Sequence, residues 1–152
     1  MNSTEKKGVL LVNLGTPKSP TTKDVRIYLR EFLSDKDVIR LPRFFWLPLL
    51  NLIILQTRPA KSAELYKKVW TEWGSPLLYN TFLQAGKLRE RFENQINNQY
   101  TVDVAMRYGH PSMESKIIQF SKSGLKEIVI IPMFPQYSTT TTRSIARHLD
   151  KI

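Results

Sequence analysis

Cysteine is absent from the 152-residue chain, which excludes a disulfide framework, thiolate metal sites, an iron–sulfur cluster and a cysteine nucleophile within it. Histidine occurs only twice, and neither His110 nor His148 has a carboxylate nearby at metal-ligand spacing. Glycine-rich signatures of nucleotide-binding loops are also missing. No window reaches the roughly 20 apolar residues that cross a bilayer. The sequence therefore predicts no resident metal, no nucleotide site and no spanning helix.

Acidic residues are scarce relative to basic ones, with 13 Asp and Glu against 23 Lys and Arg and a formal charge of +10. Residues 1–70 carry a net +7 of this charge, and they include the most apolar stretch of the chain. Such a surface attracts anions. Nucleic acid is not favoured as the partner, because the aromatic residues are not interleaved with Lys and Arg as in RNA-binding modules. Residues 1–7 are polar and lack the apolar core of a signal peptide.

Three short apolar runs predict strands, at about 9–12, 101–106 and 128–131, and helical patterns separate them. Helices are predicted from Thr21 or Thr22, from Pro76 to about Asn94, after His110-Pro111, and near Thr142. Strands that alternate with helices imply a parallel sheet with helical crossovers. We therefore predict a doubly wound, Rossmann-like α/β fold. Because three strands make only a small sheet, we expect this chain to be part of a larger protein.

Ligands of such sheets bind beyond the carboxyl ends of the strands, where three polar segments are predicted. These segments are 13–17, 107–111 and 134–142, and they combine small residues, hydroxyls, aromatics and an arginine. This mixture suits a flat, largely apolar ligand with anionic edges. Ordinary loops rich in turn residues explain the same pattern.

Ser75-Pro76 predicts the start of a helix, with serine as the cap and proline at the first helical position. The free N–H groups of a helix start attract anions. A site for a carboxylate on Ser75 and these amides, with Arg58 or Tyr66 nearby, is one interpretation of this pattern. A plain helix cap is the alternative interpretation.

The run 44–55 has ten apolar residues out of twelve, and Pro48 argues against a straight, uninterrupted helix. A separate short helix is expected to open at Pro59. The run admits three interpretations: core, protein interface or membrane-surface segment. Consecutive bulky aromatics with flanking Arg and Lys favour contact with anionic lipid or an apolar ligand.

Five motifs in order resemble the N-terminal half of ferrochelatase, of the proteobacterial type. They are GVLLVNLGTP from Gly8, YLREFLSD from Tyr28, the segment from Tyr66 through GSPL at 74–77, MRYG from Met106 and FPQYS from Phe134. The resemblance covers nearly all 152 residues. It implies a chelatase-type fold of two similar halves with a porphyrin in the cleft between them, of which residues 1–152 form the first half and the C-terminal half is absent.

The resemblance also implies roles for particular residues. Leu14 lies near the porphyrin face and cannot coordinate metal, and Arg107 and Tyr108 form a pocket wall linked to metal delivery. The porphyrin-binding positions that the resemblance implies are Leu14, Arg58, Tyr66, Ser75, Arg107, Tyr108, Gln136, Tyr137 and Ser138. It implies an apolar membrane lip at about 41–56 that includes Phe44, Phe45, Trp46, Leu49 and Leu50.

The resemblance implies insertion of ferrous iron into protoporphyrin IX, the last step of protohaem synthesis, with no further cofactor. The family's catalytic histidine and acidic metal-site residue belong to the absent half, so this chain holds no catalytic residue or metal ligand and is expected to be inactive alone. The implied partners are porphyrin, ferrous iron, the C-terminal half and a membrane surface, in the cytoplasm with peripheral attachment to the inner membrane. A non-catalytic porphyrin- or membrane-binding fragment and a related chelatase for another metal or another tetrapyrrole are the alternatives.

Overall fold

A computed structural model of the protein describes residues 6–95 and 99–152. Residues 1–5 of the polar N-terminus and residues 96–98 of the predicted polar connection lie outside the described residues. The elements in chain order are β1 (Lys7–Thr16), α1 (Thr22–Ser34), α2 (Arg43–Leu49), a π-helical turn (Leu50–Ile54), α3 (Leu55–Val69), α4 (Pro76–Gln95), β2 (Tyr100–Gly109), α5 (Met113–Lys122), β3 (Glu127–Pro132), a second π-helical turn (Thr139–Arg143) and α6 (Ser144–Leu149).

The described strands form one parallel sheet in the order β2-β1-β3. In its register Val9 lies between Val102 and Val129. Each strand extends beyond its predicted apolar run: β1 and β2 continue into the residues that follow the run, while β3 gains one residue at each end. Because β1 is central, Leu10 and Val12 are buried on one face of the sheet, while Val9 and Leu11 are buried on the other.

Helices cover both faces of the sheet. The face of Leu10 packs against Met113 and Phe120 of α5 and Ile145 of α6. The opposite face packs against Ala85 of α4. Parallel strands buried between two helical layers are the doubly wound arrangement. This confirms the predicted α/β fold.

The apolar run is helical throughout, although its helix is not regular. The chain passes from α2 through the π-helical turn into α3, with Pro48 inside α2 and Pro59 inside α3. The expectation that Pro59 opens a separate helix was therefore wrong. Proline cannot donate to the carbonyl four residues earlier, which for Pro59 is Leu55. The side chain of Arg26 supplies that donor, with Nε 3.0 Å from the Leu55 oxygen.

Helix starts follow the local capping chemistry. The Thr21 hydroxyl accepts from the Asp24 amide, which confirms the predicted cap of α1. Helix α5 is capped by Ser112, whose hydroxyl accepts from the Ser115 amide, so this helix begins after His110-Pro111. Gly124, with φ +76°, follows the end of α5 in the conformation that a glycine C-cap requires.

Candidate functional site

The carboxyl ends of all three strands meet at one edge of the sheet, as the sequence predicted. Gly15 approaches β2 so closely that a Cβ atom would lie 1.9 Å from the Tyr108 carbonyl oxygen, and its φ is +121°. Only glycine is compatible with both conditions. On the other side of β1, the Met133 amide donates to the Val12 oxygen at 2.8 Å. These contacts place the three polar loop segments side by side.

The end of β1 is also fixed to helix α4. Asn13 donates through Nδ2 to the Thr81 hydroxyl at 3.1 Å, and its Oδ1 accepts from the Leu14 amide at 2.8 Å. The Thr81 hydroxyl donates in turn to the Leu77 carbonyl at 2.7 Å. These hydrogen bonds hold the half-buried Leu14 beside the first turns of α4. They also fix the position of the start of α4 relative to the end of β1.

Ser75 immediately precedes this helix and lies in a cavity of about 430 Å³. The Tyr79 amide donates to the Ser75 carbonyl at 2.9 Å, which closes the first helical turn. The amides of residues 77 and 78 have no acceptor within the helix. Lys18, from the loop after β1, lines the same cavity. A helix start, a hydroxyl-bearing residue and an ammonium group therefore converge where an anion is favoured.

Aromatic side chains line or adjoin the same cavity. Trp70 and Trp73 line the cavity, and Trp73, which is 66% exposed, stacks on Tyr79 with 5.9 Å between ring centroids. Tyr66 packs edge-on against both Trp70 and Tyr28. Burial raises the pKa of Tyr66 and of Tyr28, so both stay neutral hydroxyl groups at physiological pH. The surface suits a flat aromatic ligand that carries carboxylates.

The remaining predicted porphyrin contacts are more dispersed. Arg58 is exposed on α3, two helical turns before Tyr66. Gln136 and Tyr137 are exposed in the loop after β3. Ser138, half-buried, hydrogen bonds the side chains of Thr140 and Thr141 at the start of the second π-helical turn. These residues lie on the elements that border the carboxyl edge, but the described cavities do not join them to Ser75.

Arg107 and Tyr108 belong to a second polar cluster, centred on Asp35. The Asp35 Oδ2 atom accepts from the Arg107 guanidinium at 2.6 Å, from the Tyr108 hydroxyl at 2.8 Å and from the Ser144 hydroxyl at 2.7 Å. Burial by itself would raise the pKa of Asp35. The Asp37 amide, the two hydroxyls and the guanidinium outweigh it and lower that pKa below its usual value. Asp35 is therefore charged at neutral pH.

This cluster shows a structural role for the Arg107-Tyr108 pair, beside the pocket-wall role that the resemblance implies. Tyr108 is only 1% exposed, and both side chains line a different cavity from that of Ser75. Through their hydrogen bonds to Asp35 and Ser144, Arg107 and Tyr108 link β2 to the end of α1 and to the start of α6. The sequence analysis missed Asp35 and Ser144 as their partners. Asp35 does close the YLREFLSD motif, but nothing in the sequence links it to Ser144.

The structure also corrects the expected lip. Trp46 is 7% exposed and donates through Nε1 to the Leu33 carbonyl at 2.7 Å, and Leu50 is fully buried in the same cluster. Both belong to the core, because burying an indole requires a partner for its N–H group. Phe44 and Phe45 are 71% and 68% exposed. The other exposed apolar side chains of this helical segment are Leu49, Leu52 and Ile53.

The described residues contain no group of three or more His, Cys, Asp and Glu side chains that could hold a metal ion. Within the same ranges, no helix is long and apolar enough to cross a membrane. At the carboxyl edge, helix α4, Lys18 and the two tryptophans offer groups that bind anions and aromatic rings.

The sheet and its helices define an α/β protein of the doubly wound type, with its candidate binding site at the carboxyl edge of the strands. The sequence model of the ferrochelatase family matches residues 6–152, and the chain belongs to this family, whose N-terminal region it represents. It is 50% identical over 139 residues to a ferrochelatase of Alcanivorax borkumensis, an alignment that covers 91% of this chain and 41% of that protein.

Two further relatives bear on the substrate. A coproporphyrin III ferrochelatase of Lactococcus lactis subsp. lactis is 49% identical over 148 residues, covering 97% of this chain and 46% of the relative. A ferrochelatase of Shewanella denitrificans is 50% identical over 144 residues, covering 91% and 43%. The chain thus spans less than half the length of these curated relatives. Because the sequence identities to the two kinds of relative are similar, they do not show which porphyrin this chain binds.

Proposed function

We propose that this chain forms one wall of the porphyrin cleft of an enzyme that inserts ferrous iron into a porphyrin. The observation that carries the proposal is the cavity at the start of α4, where Ser75, Lys18 and two indole rings converge. A porphyrin presents a flat aromatic ring with carboxylate side chains, and this cavity offers a partner for each part. Family membership supports the proposed reaction, and the geometry of the cavity supports this position for the ligand.

The residues of this wall bind and orient the substrate in the proposed reaction. A propionate accepts hydrogen bonds from the free amides at the start of α4 and from Ser75, while Lys18, which lines the same cavity, neutralises its charge. The rings of Trp70 and Trp73 flank the macrocycle. Metal insertion also needs a base that accepts two pyrrole protons. We assign that base and the groups that receive ferrous iron to the part of the enzyme that completes the cleft.

Protoporphyrin IX is the substrate expected from the sequence, and coproporphyrin III is the alternative that the Lactococcus relative favours. The two differ in the number of carboxylates, since coproporphyrin III carries more propionates. The same wall accommodates either ring. A direct comparison of the affinities of this chain for the two porphyrins therefore decides which substrate it prefers.

The exposed side chains of Phe44, Phe45 and Leu49, with Leu52 and Ile53, form the proposed membrane lip. The lip sits on a helix whose inner face is anchored by Trp46 and Leu50. A rigid apolar ridge of this kind inserts shallowly into a bilayer surface. A non-catalytic fragment that binds porphyrin or membrane is the second candidate, because the lip and the Ser75 cavity are both present in this chain alone.

Porphyrin binding by variants of the cavity tests the proposed function. Ser75→Ala and Lys18→Ala, which alter two residues that line the cavity, are each expected to weaken porphyrin binding about tenfold, the loss for one charge-assisted hydrogen bond. Quenching of tryptophan fluorescence on titration with porphyrin measures the affinity. Lys87→Ala is the control, since Lys87 lies on the same helix as Ser75 but more than two turns further along. Unchanged affinity in both cavity variants would refute the propionate contacts.

A further inference from the structure

A basic pocket lies at the foot of the proposed lip, between α2 and α6. Its cavity of about 460 Å³ is lined by five cations, and we call this set the arginine pocket: Lys36, Arg40, Arg43, Arg143 and Arg147. The pocket adjoins a larger cavity of about 730 Å³, which contains the Asp35 cluster. It shares no lining residue with the cavity of Ser75. It is therefore separate from the proposed porphyrin contacts.

The arginine pocket has an excess of positive charge that the carboxylates of the described residues do not neutralise. Its one carboxylate is Asp37, which is 5% exposed and pairs with Arg147 at 2.8 Å. The Arg43 guanidinium donates to the Ser34 carbonyl, which carries no formal charge. Neither Arg40 nor Arg143 is within 4.0 Å of a carboxylate among the described residues. Five cations against one carboxylate leave four positive charges facing one cavity.

The surroundings of the pocket indicate which anion it receives. Leu41 and Pro42 line it, and Phe44 and Phe45 follow directly, with their ring centroids 4.1 Å apart. Leu41 is 54% exposed. Exposed aromatic and aliphatic side chains beside a group of arginines are typical of surfaces that bind acidic membranes. The guanidinium fork also matches the geometry of phosphate oxygens.

We propose that the arginine pocket binds the phosphate of an acidic phospholipid headgroup while the adjacent lip enters the bilayer. The proposal rests on the membrane contact in the proposed function and adds a headgroup site to it. A single lipid then contacts both parts of this surface. Its phosphate binds the arginines at the membrane surface, and its acyl chains contact Phe44 and Phe45 deeper in the bilayer. The pocket would also fix the orientation of the lip on the membrane.

Vesicle binding by matched charge variants tests the site. The 152-residue chain is titrated with vesicles of phosphatidylcholine alone, or of phosphatidylcholine and phosphatidylglycerol in equal parts, at physiological salt. We expect the double variant Arg40→Ala/Arg143→Ala to bind the mixed vesicles about 30-fold more weakly, from about 1 kcal/mol per arginine near an acidic surface. Its binding to phosphatidylcholine alone is expected to be unchanged.

The control variant Lys87→Ala/Lys122→Ala removes the same charge from α4 and from the end of α5. We expect it to weaken binding to mixed vesicles less than about threefold. An equal loss in the two double variants would overturn the site, since net charge alone would then explain the attraction. Equal binding of the unaltered chain to both vesicle types would overturn it too.

Two further arms separate the remaining explanations. If inorganic phosphate raises the melting temperature of the unaltered chain but not of Arg40→Ala/Arg143→Ala, while acidic vesicles bind no better than neutral ones, the pocket holds a free oxyanion and the lipid assignment is wrong. Phe44→Ser/Phe45→Ser is expected to weaken binding to both vesicle types. If it does not, the membrane contact of the lip fails as well, whereas porphyrin affinity tests the remainder of the proposed function separately.

Discussion

Replacement of Asp35 by asparagine should destabilise the fold strongly, because it leaves the Arg107 guanidinium without a counter-charge. The two side chains are only 10% and 12% exposed, so solvent screens their ion pair little. Breaking one partner of such a pair costs about 3–5 kcal/mol. Asparagine still accepts from the Tyr108 and Ser144 hydroxyls, so we expect the lower end, about 3 kcal/mol. For a chain of this length that corresponds to a melting temperature lower by about 6–12 °C.

Urea unfolding followed by far-ultraviolet circular dichroism measures this loss. The control is Glu64→Gln, which removes the exposed pair with Lys67 and should cost less than about 0.5 kcal/mol. A second variant, Asp35→Leu/Arg107→Met, removes both charges and is expected to be less destabilised than Asp35→Asn, since no charge is left unpaired. An unfolding free energy for Asp35→Asn within about 0.5 kcal/mol of the unaltered chain would refute this role of the cluster.

The same cluster has a predictable dependence on pH. The pKa of Asp35 is lower in the folded chain than in the unfolded one, so the folded state is stabilised when the carboxyl is ionised. This stabilisation is complete above the unfolded value of about 4 and is lost as the pH falls through the lowered pKa. In Asp35→Asn the decline in stability below about pH 4 should be shallower.

Two further pairs of variants test the corrected lip and the strand geometry by thermal unfolding. Trp46→Phe should lower the unfolding free energy by about 1–3 kcal/mol, because it removes a buried hydrogen bond. Phe44→Ser, on the exposed face, should change the unfolding free energy by less than about 0.5 kcal/mol. A larger loss for Phe44→Ser than for Trp46→Phe would contradict the observed orientation of α2. Gly15→Ala should prevent stable folding, because its Cβ atom would clash with the Tyr108 carbonyl. Gly86 lies in open space on α4, so Gly86→Ala should raise the unfolding free energy by about 0.5–1 kcal/mol. A folded Gly15→Ala chain would refute the close approach of β1 and β2.

The sheet was predictable because its information is local. The apolar runs around Leu10, Val104 and Ile130 give strands, and the helical patterns between them give crossovers. Ser75-Pro76 was correctly predicted as the start of a helix, since capping depends on adjacent residues. The position of the ligand-facing loops then followed from the rule that parallel strands end at a common edge.

The wrong predictions concern features that depend on contacts between residues far apart in the sequence. Phe44, Phe45 and Trp46 are adjacent aromatics, and only packing against Leu33 shows that the third points inward. The helix continues through Pro59 because Arg26, 29 positions from Leu55, supplies the missing donor.

The Asp35 cluster depends on even longer range contacts. Asp35 and Ser144 are 109 positions apart in the chain. No pattern in the sequence links residues at such separations. The Arg-Tyr motif at 107–108 was therefore visible in the sequence, whereas its buried environment was not.

The most direct test of the central claim combines porphyrin binding and metal insertion by the 152-residue chain. Protoporphyrin IX and coproporphyrin III are each titrated with the chain in detergent, and ferrous iron is then added without oxygen while porphyrin fluorescence is followed. One wall of a cleft predicts saturable binding that Ser75→Ala weakens, with no metal insertion above the uncatalysed rate. Absence of saturable binding to either porphyrin would contradict the claim that this chain forms a porphyrin-binding wall, and insertion above the uncatalysed rate would contradict the assignment of the base to the rest of the enzyme.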